Sequence, residues 1–188
     1  MHSLVLFASG AGSNAAAIID WCRTSGMARV SLIVCNKPGA GVIDIAAREA
    51  IPVLMIEKGS LQQPETIDAI RAHQPSLVIL AGYLWKIPSS LTDAFPGRIV
   101  NIHPSLLPAY GGKGMYGGNV HNAVIAARER ESGITIHYVN EHYDEGDIIV
   151  QARCPVTPDD TPATLAARIH RLEHFFFPRT IEFLLMGL

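Results

Sequence analysis

The feature that most constrains the fold is the alternation of two textures in the first half of the chain. Short runs rich in Val, Ile and Leu occupy residues 4–8, 30–35, 53–56 and 77–80, and stretches with helical apolar spacing occupy residues 14–24, 42–50 and 64–73. Buried strands that alternate with helices are typical of a parallel sheet covered on both faces. The sequence therefore predicts a βαβ architecture.

The second half of the chain is less regular. A fifth strand is predicted at residues 98–102, followed by a loop to about residue 118 and a helix at residues 120–130. A loop of this length inside a domain is usually functional or disordered. Two further strands are predicted at residues 133–139 and 148–155, joined by a turn at residues 144–147, and the last helix at residues 162–185, after a Thr-Pro start signal.

Together these patterns predict one α/β domain over residues 1–188. The expected fold class is Rossmann-like, with a mostly parallel sheet, helices on both faces and a partly antiparallel C-terminal portion.

Composition restricts the possible partners and the compartment. The 188 residues are 48% hydrophobic with a formal net charge of −2, which predicts a globular protein with no surface for nucleic acid or anionic membranes. The scattered cysteines Cys22, Cys35 and Cys154 suggest reduced thiols, hence a cytoplasmic location. The N-terminus lacks a signal-peptide pattern, and no apolar run approaches the roughly 20 residues of a membrane span.

A glycine-rich segment, Ser9-Gly10-Ala11-Gly12-Ser13-Asn14, joins the first strand to the first helix. Glycines let the backbone approach a ligand closely, and the free N–H groups and positive dipole end of a helix favour a phosphate. The segment predicts a phosphate site that includes Gly12, Ser13 and Asn14. The alternative is a plain turn in which Ser13 or Asn14 caps the helix.

The same glycines partly match a dinucleotide-binding fingerprint. That fingerprint expects an acidic residue at the end of the second strand, where this chain has Cys35-Asn36-Lys37. The missing acid disfavours NAD. Lys37 could meet the additional phosphate of NADP, so an oxidoreductase stays open as a weaker alternative.

The segment Asn101-Ile102-His103-Pro104 ends the fifth predicted strand. Residues two apart in a strand share one side, and the carboxyl ends of strands in open α/β sheets bind ligands. A carboxamide donor suits a developing oxyanion, and an imidazole moves protons near neutral pH. Asn101 and His103 are therefore predicted catalytic residues, against the alternative that they merely close a strand.

An acidic turn, Asp144-Glu145-Gly146-Asp147, lies between the last two strands. An Asp beside a catalytic His would favour the imidazolium and orient the ring. From the residues alone, any of the acids could face the site, or the turn could simply be solvated. No histidine pattern indicates zinc, and the G-x-S-x-G motif of many hydrolases is absent.

These segments, in order, resemble the phosphoribosylglycinamide formyltransferase family. Besides the glycine-rich segment, the resemblance rests on Leu80-Ala81-Gly82-Tyr83, on residues 101–108 (Asn-Ile-His-Pro-Ser-Leu-Leu-Pro) and on residues 144–151 (Asp-Glu-Gly-Asp-Ile-Ile-Val-Gln). It covers almost the whole chain. It implies formyl transfer from 10-formyltetrahydrofolate to 5-phosphoribosylglycinamide in purine biosynthesis, with no metal, by a monomer or homodimer.

The resemblance also implies residue roles. Asn101 and His103 would polarise the formyl group through a tetrahedral intermediate, and Asp144 would raise the pKa of His103 and help relay protons. The backbone at Gly12, Ser13 and Asn14 would hold the substrate phosphate, and His170 and Glu173 would contact the glycinamide ribonucleotide. The folate pocket would be lined by Leu84, Trp85, Lys86, Ile87, Asn140, Glu141, His142 and Tyr143.

The chain departs from the family pattern in three places. The loop after the third strand usually carries an Arg ligand contact in the family, but here it reads Glu57-Lys58-Gly59-Ser60, in which only Lys58 is similar. The pterin segment contains Trp85 and Lys86. The loop 111–118 is longer and richer in glycine than usual, which leads to the hypothesis of a mobile lid. Two further functions stay open for such a chain, a folate deformylase and a catalytically inactive binding protein.

Overall fold

The computed structural model describes all of residues 1–188. Seven strands form one sheet in the order β3-β2-β1-β4-β5-β6-β7. The strands are β1 (His2–Ala8), β2 (Ala28–Cys35), β3 (Val53–Met55), β4 (Leu77–Leu80), β5 (Ile99–His103), β6 (Glu131–Tyr138) and β7 (Ile148–Pro155). The helices are α1 (Ser13–Ser25), α2 (Gly41–Arg48), α3 (Pro64–Arg71), α4 (Ser89–Ala94), α5 (Gly118–Ala126) and α6 (Pro162–Leu185).

The predicted fold class is confirmed. Strands β1 to β5 run parallel, whereas β6 pairs antiparallel with β5 and β7 antiparallel with β6. Helices α1 to α4 supply the four crossovers between the five parallel strands. A long loop with α5 leads from β5 to the antiparallel β6, and a short turn joins β6 to β7.

Alternating residues of the strands feed two apolar layers. Along β1, Leu4 and Leu6 pack into the layer that contains α1, α2, α5 and α6, while Val5 and Phe7 pack into the layer that contains α3 and α4. Both faces of the central strands are thus buried, which accounts for their continuous apolar sequence.

Two short helices and the bounds of α5 differ from the prediction. Helix α4 and a short 3-10 helix at Ser60–Gln62 were not predicted. The predicted helix at residues 120–130 begins at Gly118 and ends at Ala126, because the chain turns at Arg128, whose φ is +54°. The start of α6 is confirmed: Pro162 is in the first turn, and the Thr161 hydroxyl accepts a hydrogen bond from the Thr164 N–H.

None of the helices combines the length and the apolar character that crossing a membrane requires.

Candidate active site

Helix α1 leads from β1 to β2, which lies on one side of β1 in the sheet, whereas β4 lies on the other side. The loops that follow β1 and β4 therefore separate at the carboxyl edge of the sheet. Ser9 links the two loops. Its N–H donates to the Gly82 carbonyl at 3.1 Å, and its hydroxyl accepts from the Leu84 N–H at 3.1 Å. Ligands of open α/β sheets bind at such a switch point.

A cavity of about 620 Å³ lies at this edge, and we call it the main cavity. Its walls come from residues 10–14, 81–84, 101–104 and 112–117, with Tyr143, Asp144, His170 and Glu173. The main cavity therefore brings together the glycine-rich loop, the Asn-x-His segment and one acid of the turn before β7.

The glycine-rich loop is shaped by its backbone. Gly12 has φ +81°, and a Cβ atom there would lie 2.9 Å from side-chain atoms of both Val42 and Ile45. Only glycine fits both conditions. Helix α1 begins at Ser13 without a side-chain cap, so the alternative of a turn capped by Ser13 or Asn14 is wrong. The first N–H groups of α1 are left without side-chain partners at the cavity wall.

Asn14 and Glu173 meet in the interior although 159 residues separate them. The Asn14 Nδ2 donates to Glu173 Oε2 at 3.0 Å, and His170 Nδ1 lies 2.9 Å from the same oxygen. Glu173 is only 4% exposed, and its hydrogen bond raises the pKa of His170 above its ordinary value. The structure thus joins the predicted phosphate and ribonucleotide residues at one end of the main cavity.

Asn101 and His103 lie on the same side of β5, as their spacing predicts. His103 is 4% exposed, and its Nε2 lies 2.8 Å from the carbonyl oxygen of Tyr110. A carbonyl only accepts, so Nε2 carries a hydrogen. The other ring nitrogen, Nδ1, lies 3.5 Å from Asp144 Oδ2. Proton gain and loss at His103 therefore occur at Nδ1, on the side of the carboxylate.

The pKa of His103 reflects opposing effects. Burial lowers this pKa, while the charge of Asp144 and the Tyr110 carbonyl raise it by less, so that it lies below its ordinary value. Asp144 thus acts on His103 in the predicted direction, but desolvation of a nearly enclosed ring outweighs it. Because the pKa lies below its ordinary value, His103 is neutral at pH 7.

The turn before β7 places Asp144 in the main cavity, and the other three acids of residues 141–147 do not line it. Burial raises the pKa of Asp144, but contact with His137, the His103 charge and the Gly112 N–H together hold it below its ordinary value. The Gly112 N–H donates to Asp144 Oδ2 at 2.9 Å. Asp144 is therefore a carboxylate at neutral pH.

One polar neighbour of this group, His137, was not predicted as a site residue. It lies opposite Asn101 in the antiparallel pairing of β5 and β6. His137 Nδ1 lies 2.8 Å from the Tyr138 carbonyl, which leaves Nε2 to accept from Asn101 Nδ2 at 3.1 Å. Asn101 Nδ2 is also 3.5 Å from Asp144 Oδ1. His137 thereby fixes which end of the Asn101 carboxamide faces the acid.

The predicted folate residues are divided among several recesses. Leu84 and Tyr143 line the main cavity and also a second cavity of about 300 Å³. Trp85 and Lys86 line only the second cavity of these two, together with Lys58, and Lys86 Nζ lies 6.0 Å from the Tyr143 ring centroid. Tyr83 also lines both cavities, so the two cavities lie side by side.

The remaining predicted folate residues lie further out. Ile87, Asn140 and His142 line a recess of about 60 Å³ beside Asp144. Glu141 lines neither the main nor the second cavity, and its carboxylate lies 3.4 Å from His142 at the surface. Glu141 instead lines an outer recess together with Lys86, Ile87 and His142, so the structure places it beside these predicted folate residues but away from the main cavity.

The described side chains include no group of three or more His, Cys, Asp or Glu residues arranged to hold a metal ion. Lys37, the residue on which the NADP alternative depends, does not line the main cavity.

An open α/β sheet with a cavity at its switch point, lined by an uncapped helix start and by an Asn-His-Asp group, is typical of an enzyme that uses acid–base chemistry on a small ligand. A family model described as "Formyl transferase" matches residues 2–181. The chain belongs to the formyl transferase family, and the resemblance drawn from its sequence motifs is confirmed at this level.

Individual relatives agree with this assignment. The chain is 43% identical over 185 residues to the chloroplastic phosphoribosylglycinamide formyltransferase of Arabidopsis thaliana, covering 95% of this chain and 63% of the relative. It therefore spans about three fifths of that plant protein. Identity is 39% over 191 residues to phosphoribosylglycinamide formyltransferase of Bacillus subtilis, covering 98% of this chain and 95% of the relative.

A solved structure shows the same fold. Glycinamide ribonucleotide transformylase 1 from Geobacillus kaustophilus superposes with a TM-score of 0.88 at 38% identity, covering 98% of this chain and 99% of that one.

Proposed function

We propose that this chain, as one catalytic domain over residues 1–188, transfers a formyl group from 10-formyltetrahydrofolate to the amino group of 5-phosphoribosylglycinamide, a step of purine biosynthesis. The observation that carries the proposal is the main cavity, which joins the uncapped start of α1 to the Asn101, His103 and Asp144 side chains. The names of the relatives from Arabidopsis thaliana and Bacillus subtilis support this choice of substrate.

The phosphate would bind at the start of α1. The N–H groups of Gly12, Ser13 and Asn14 carry no side-chain cap and lie at the positive end of the helix dipole. Beside them, Glu173 accepts hydrogen bonds from Asn14 and His170 on the same oxygen, Oε2. The other oxygen, Oε1, is free to accept from the substrate, which would orient the glycinamide toward His103.

The reacting formyl group would lie against Asn101. As the substrate amine attacks the formyl carbon, a C–N bond forms and negative charge develops on the formyl oxygen. One N–H of Asn101 is held by His137, and the other faces Asp144 Oδ1 across 3.5 Å, a long contact that a ligand oxygen can replace. That N–H would stabilise the oxygen of the tetrahedral intermediate.

His103 and Asp144 would move the proton. The lowered pKa of His103 leaves Nδ1 unprotonated at neutral pH, so Nδ1 can accept the proton that the attacking amine must lose. The resulting imidazolium is stabilised by the Asp144 carboxylate 3.5 Å away. Returning this proton to the folate nitrogen as its bond to the formyl carbon breaks completes the transfer, and no step requires a metal ion.

The folate would enter through the second cavity. Leu84, Trp85 and Tyr143 offer aromatic and apolar surface for flat rings, and Lys58 and Lys86 stand at the same cavity for the carboxylates of the folate tail. Ile87, Asn140 and His142 would complete the pterin side, in the recess beside Asp144. Lys58 would take over the position at which the family usually has Arg.

The partners in this proposal are therefore two small molecules, with neither nucleic acid nor membrane involved. All three cysteines are buried free thiols, which supports placing the activity in a reducing compartment such as the cytoplasm. The proposal holds for a monomer or a homodimer, since the residues that it uses belong to one chain.

Purified protein mixed with both substrates tests the proposal. We expect a change in folate absorbance that depends on 5-phosphoribosylglycinamide and yields one formylated product for each folate consumed. Formate release with folate alone would instead identify a deformylase, and binding of NADP without folate turnover would identify an oxidoreductase. Absence of glycinamide-dependent turnover would refute the proposal.

A further inference from the structure

The charges around the main cavity pose a problem for a phosphorylated ligand. The cavity is lined by two carboxylates, Asp144 and Glu173, and by a single Lys or Arg residue, Lys113. His170 is also present, but its Nδ1 is engaged with Glu173. A phosphate monoester carries close to two negative charges at neutral pH, so the two carboxylates repel it. Backbone N–H groups carry only partial charge, which leaves Lys113 as the permanent counter-charge.

The backbone around Lys113 holds it in a tight turn at the cavity wall. Gly112 and Gly114 flank it with φ values of +92° and +88°. The Met115 N–H donates to the Gly112 carbonyl at 3.1 Å, and Asn119 Nδ2 donates to the Gly114 carbonyl at 2.9 Å. Lys113 is exposed on this turn and has no salt-bridge partner, so its ammonium group is available to a ligand.

We propose that Lys113 binds the phosphate of the substrate from the side opposite the start of α1, so that the phosphate is enclosed between the loop 111–118 and residues 12–14. This inference rests on the proposed function for the identity of the phosphorylated substrate. It assigns to the loop 111–118 a binding role.

The loop 111–118 and Tyr110, which directly precedes it, together bind both proton-transfer groups. The residue before Lys113, Gly112, donates its N–H to Asp144, and the carbonyl of Tyr110 accepts from His103. A contact that fixes Lys113 therefore also fixes the two backbone groups that hold Asp144 and His103. Binding energy from a remote phosphate would in this way be used to align the reacting groups.

Direct binding of inorganic phosphate provides the first test and requires no turnover. Calorimetric titration compares the wild type with Lys113→Ala, Lys113→Arg and Arg71→Ala. Arg71 lies on α3, contacts Asp68 at 3.2 Å and lines neither cavity, so its variant removes one positive charge elsewhere. We expect phosphate binding to weaken about 10- to 100-fold in Lys113→Ala, to persist in Lys113→Arg and to be unchanged in Arg71→Ala.

Turnover provides the second test, with 5-phosphoribosylglycinamide and with the same compound lacking its phosphate. Lys113→Ala should lower kcat/KM about 10- to 100-fold for the first and leave the second unaffected. Added inorganic phosphate should accelerate the truncated substrate in the wild type and not in Lys113→Ala.

The outcomes separate the two proposals. Phosphate binding equal in the wild type and Lys113→Ala overturns the role of Lys113 whatever the reaction is, as does an equal loss on both substrates. Wild-type activity on the truncated substrate that does not respond to phosphate overturns the coupling to Asp144 and His103. Lys113-dependent phosphate binding without turnover of 5-phosphoribosylglycinamide refutes only the proposed function.

Discussion

The catalytic end and the folate end of the site differ in how deeply their side chains are buried and in how firmly they are held. At the catalytic end, His103 is 4% exposed and is held by strand pairing, a backbone carbonyl and a carboxylate. At the folate end, Trp85 is 36% exposed and Lys86 is fixed only by a distant ring. Leaving a buried polar group without its hydrogen-bond partner costs free energy, whereas an exposed side chain exchanges its partners with water. The catalytic end should therefore tolerate substitution far less than the folate end.

The largest effect is expected for His103→Ala. Without Nδ1 the amine proton has no acceptor in the site, so kcat should fall by about 10²- to 10⁴-fold while the KM values change little. Steady-state kinetics with both substrates measures this. A loss confined to KM would show that His103 only binds substrate and would remove the contrast between the two ends.

His137 should act through Asn101. His137→Ala frees the Asn101 carboxamide to rotate. We expect kcat to fall about tenfold, which corresponds to the free energy of about one hydrogen bond. The same change in an Asn101→Ala background should have no further effect, because the group that His137 orients is gone. Additive losses in this double-mutant cycle would show that His137 acts independently of Asn101.

Gly12→Ala tests how strictly the backbone of the phosphate loop is constrained. The new methyl group would lie 2.9 Å from Val42 and Ile45 at a φ of +81°, and we expect about 1–3 kcal/mol of lost stability. Chemical denaturation measures this loss. Gly10→Ala is the matched control, since a Cβ atom there meets nothing within 4 Å, and its unfolding free energy should stay within about 0.5 kcal/mol of the wild type.

The smallest effect is expected at the exposed end. Lys86→Ala should raise the KM for 10-formyltetrahydrofolate about two- to fivefold and leave the KM for 5-phosphoribosylglycinamide unchanged, because a solvated ion pair contributes at most about 1 kcal/mol. A loss as large as that of His103→Ala would contradict the comparison between the two ends.

The same contrast explains what could be predicted from the sequence. Buried parallel strands have continuous apolar sequences, so the architecture could be predicted. The six-residue helix at Ser89–Ala94 has too few turns to show a period. Gly12 and the spacing of Asn101 and His103 are local signals. The position of His137 depends on the register between β5 and β6, and a sequence does not display that register.

Asp144 could be predicted from the sequence only in part. The residues alone left several acids in its turn equivalent, and the family resemblance singled it out. Its position depends in part on Gly146. A Cβ atom at Gly146 would overlap the Tyr138 carbonyl, so only glycine lets the chain pass this close to β6 and point Asp144 inward. The burial that lowers the His103 pKa could not be anticipated either, because it depends on the whole enclosure and not on one neighbour.

The pH dependence of kcat/KM in the wild type and in Asp144→Asn tests the central claim, that His103 moves the proton under the influence of Asp144. Activity requires neutral His103, so it should fall at acidic pH, with a midpoint below the ordinary histidine pKa of about 6.5. The Asp144 charge raises the His103 pKa, so its removal should shift this midpoint to still lower pH and reduce the plateau. A profile unchanged in Asp144→Asn would contradict the account.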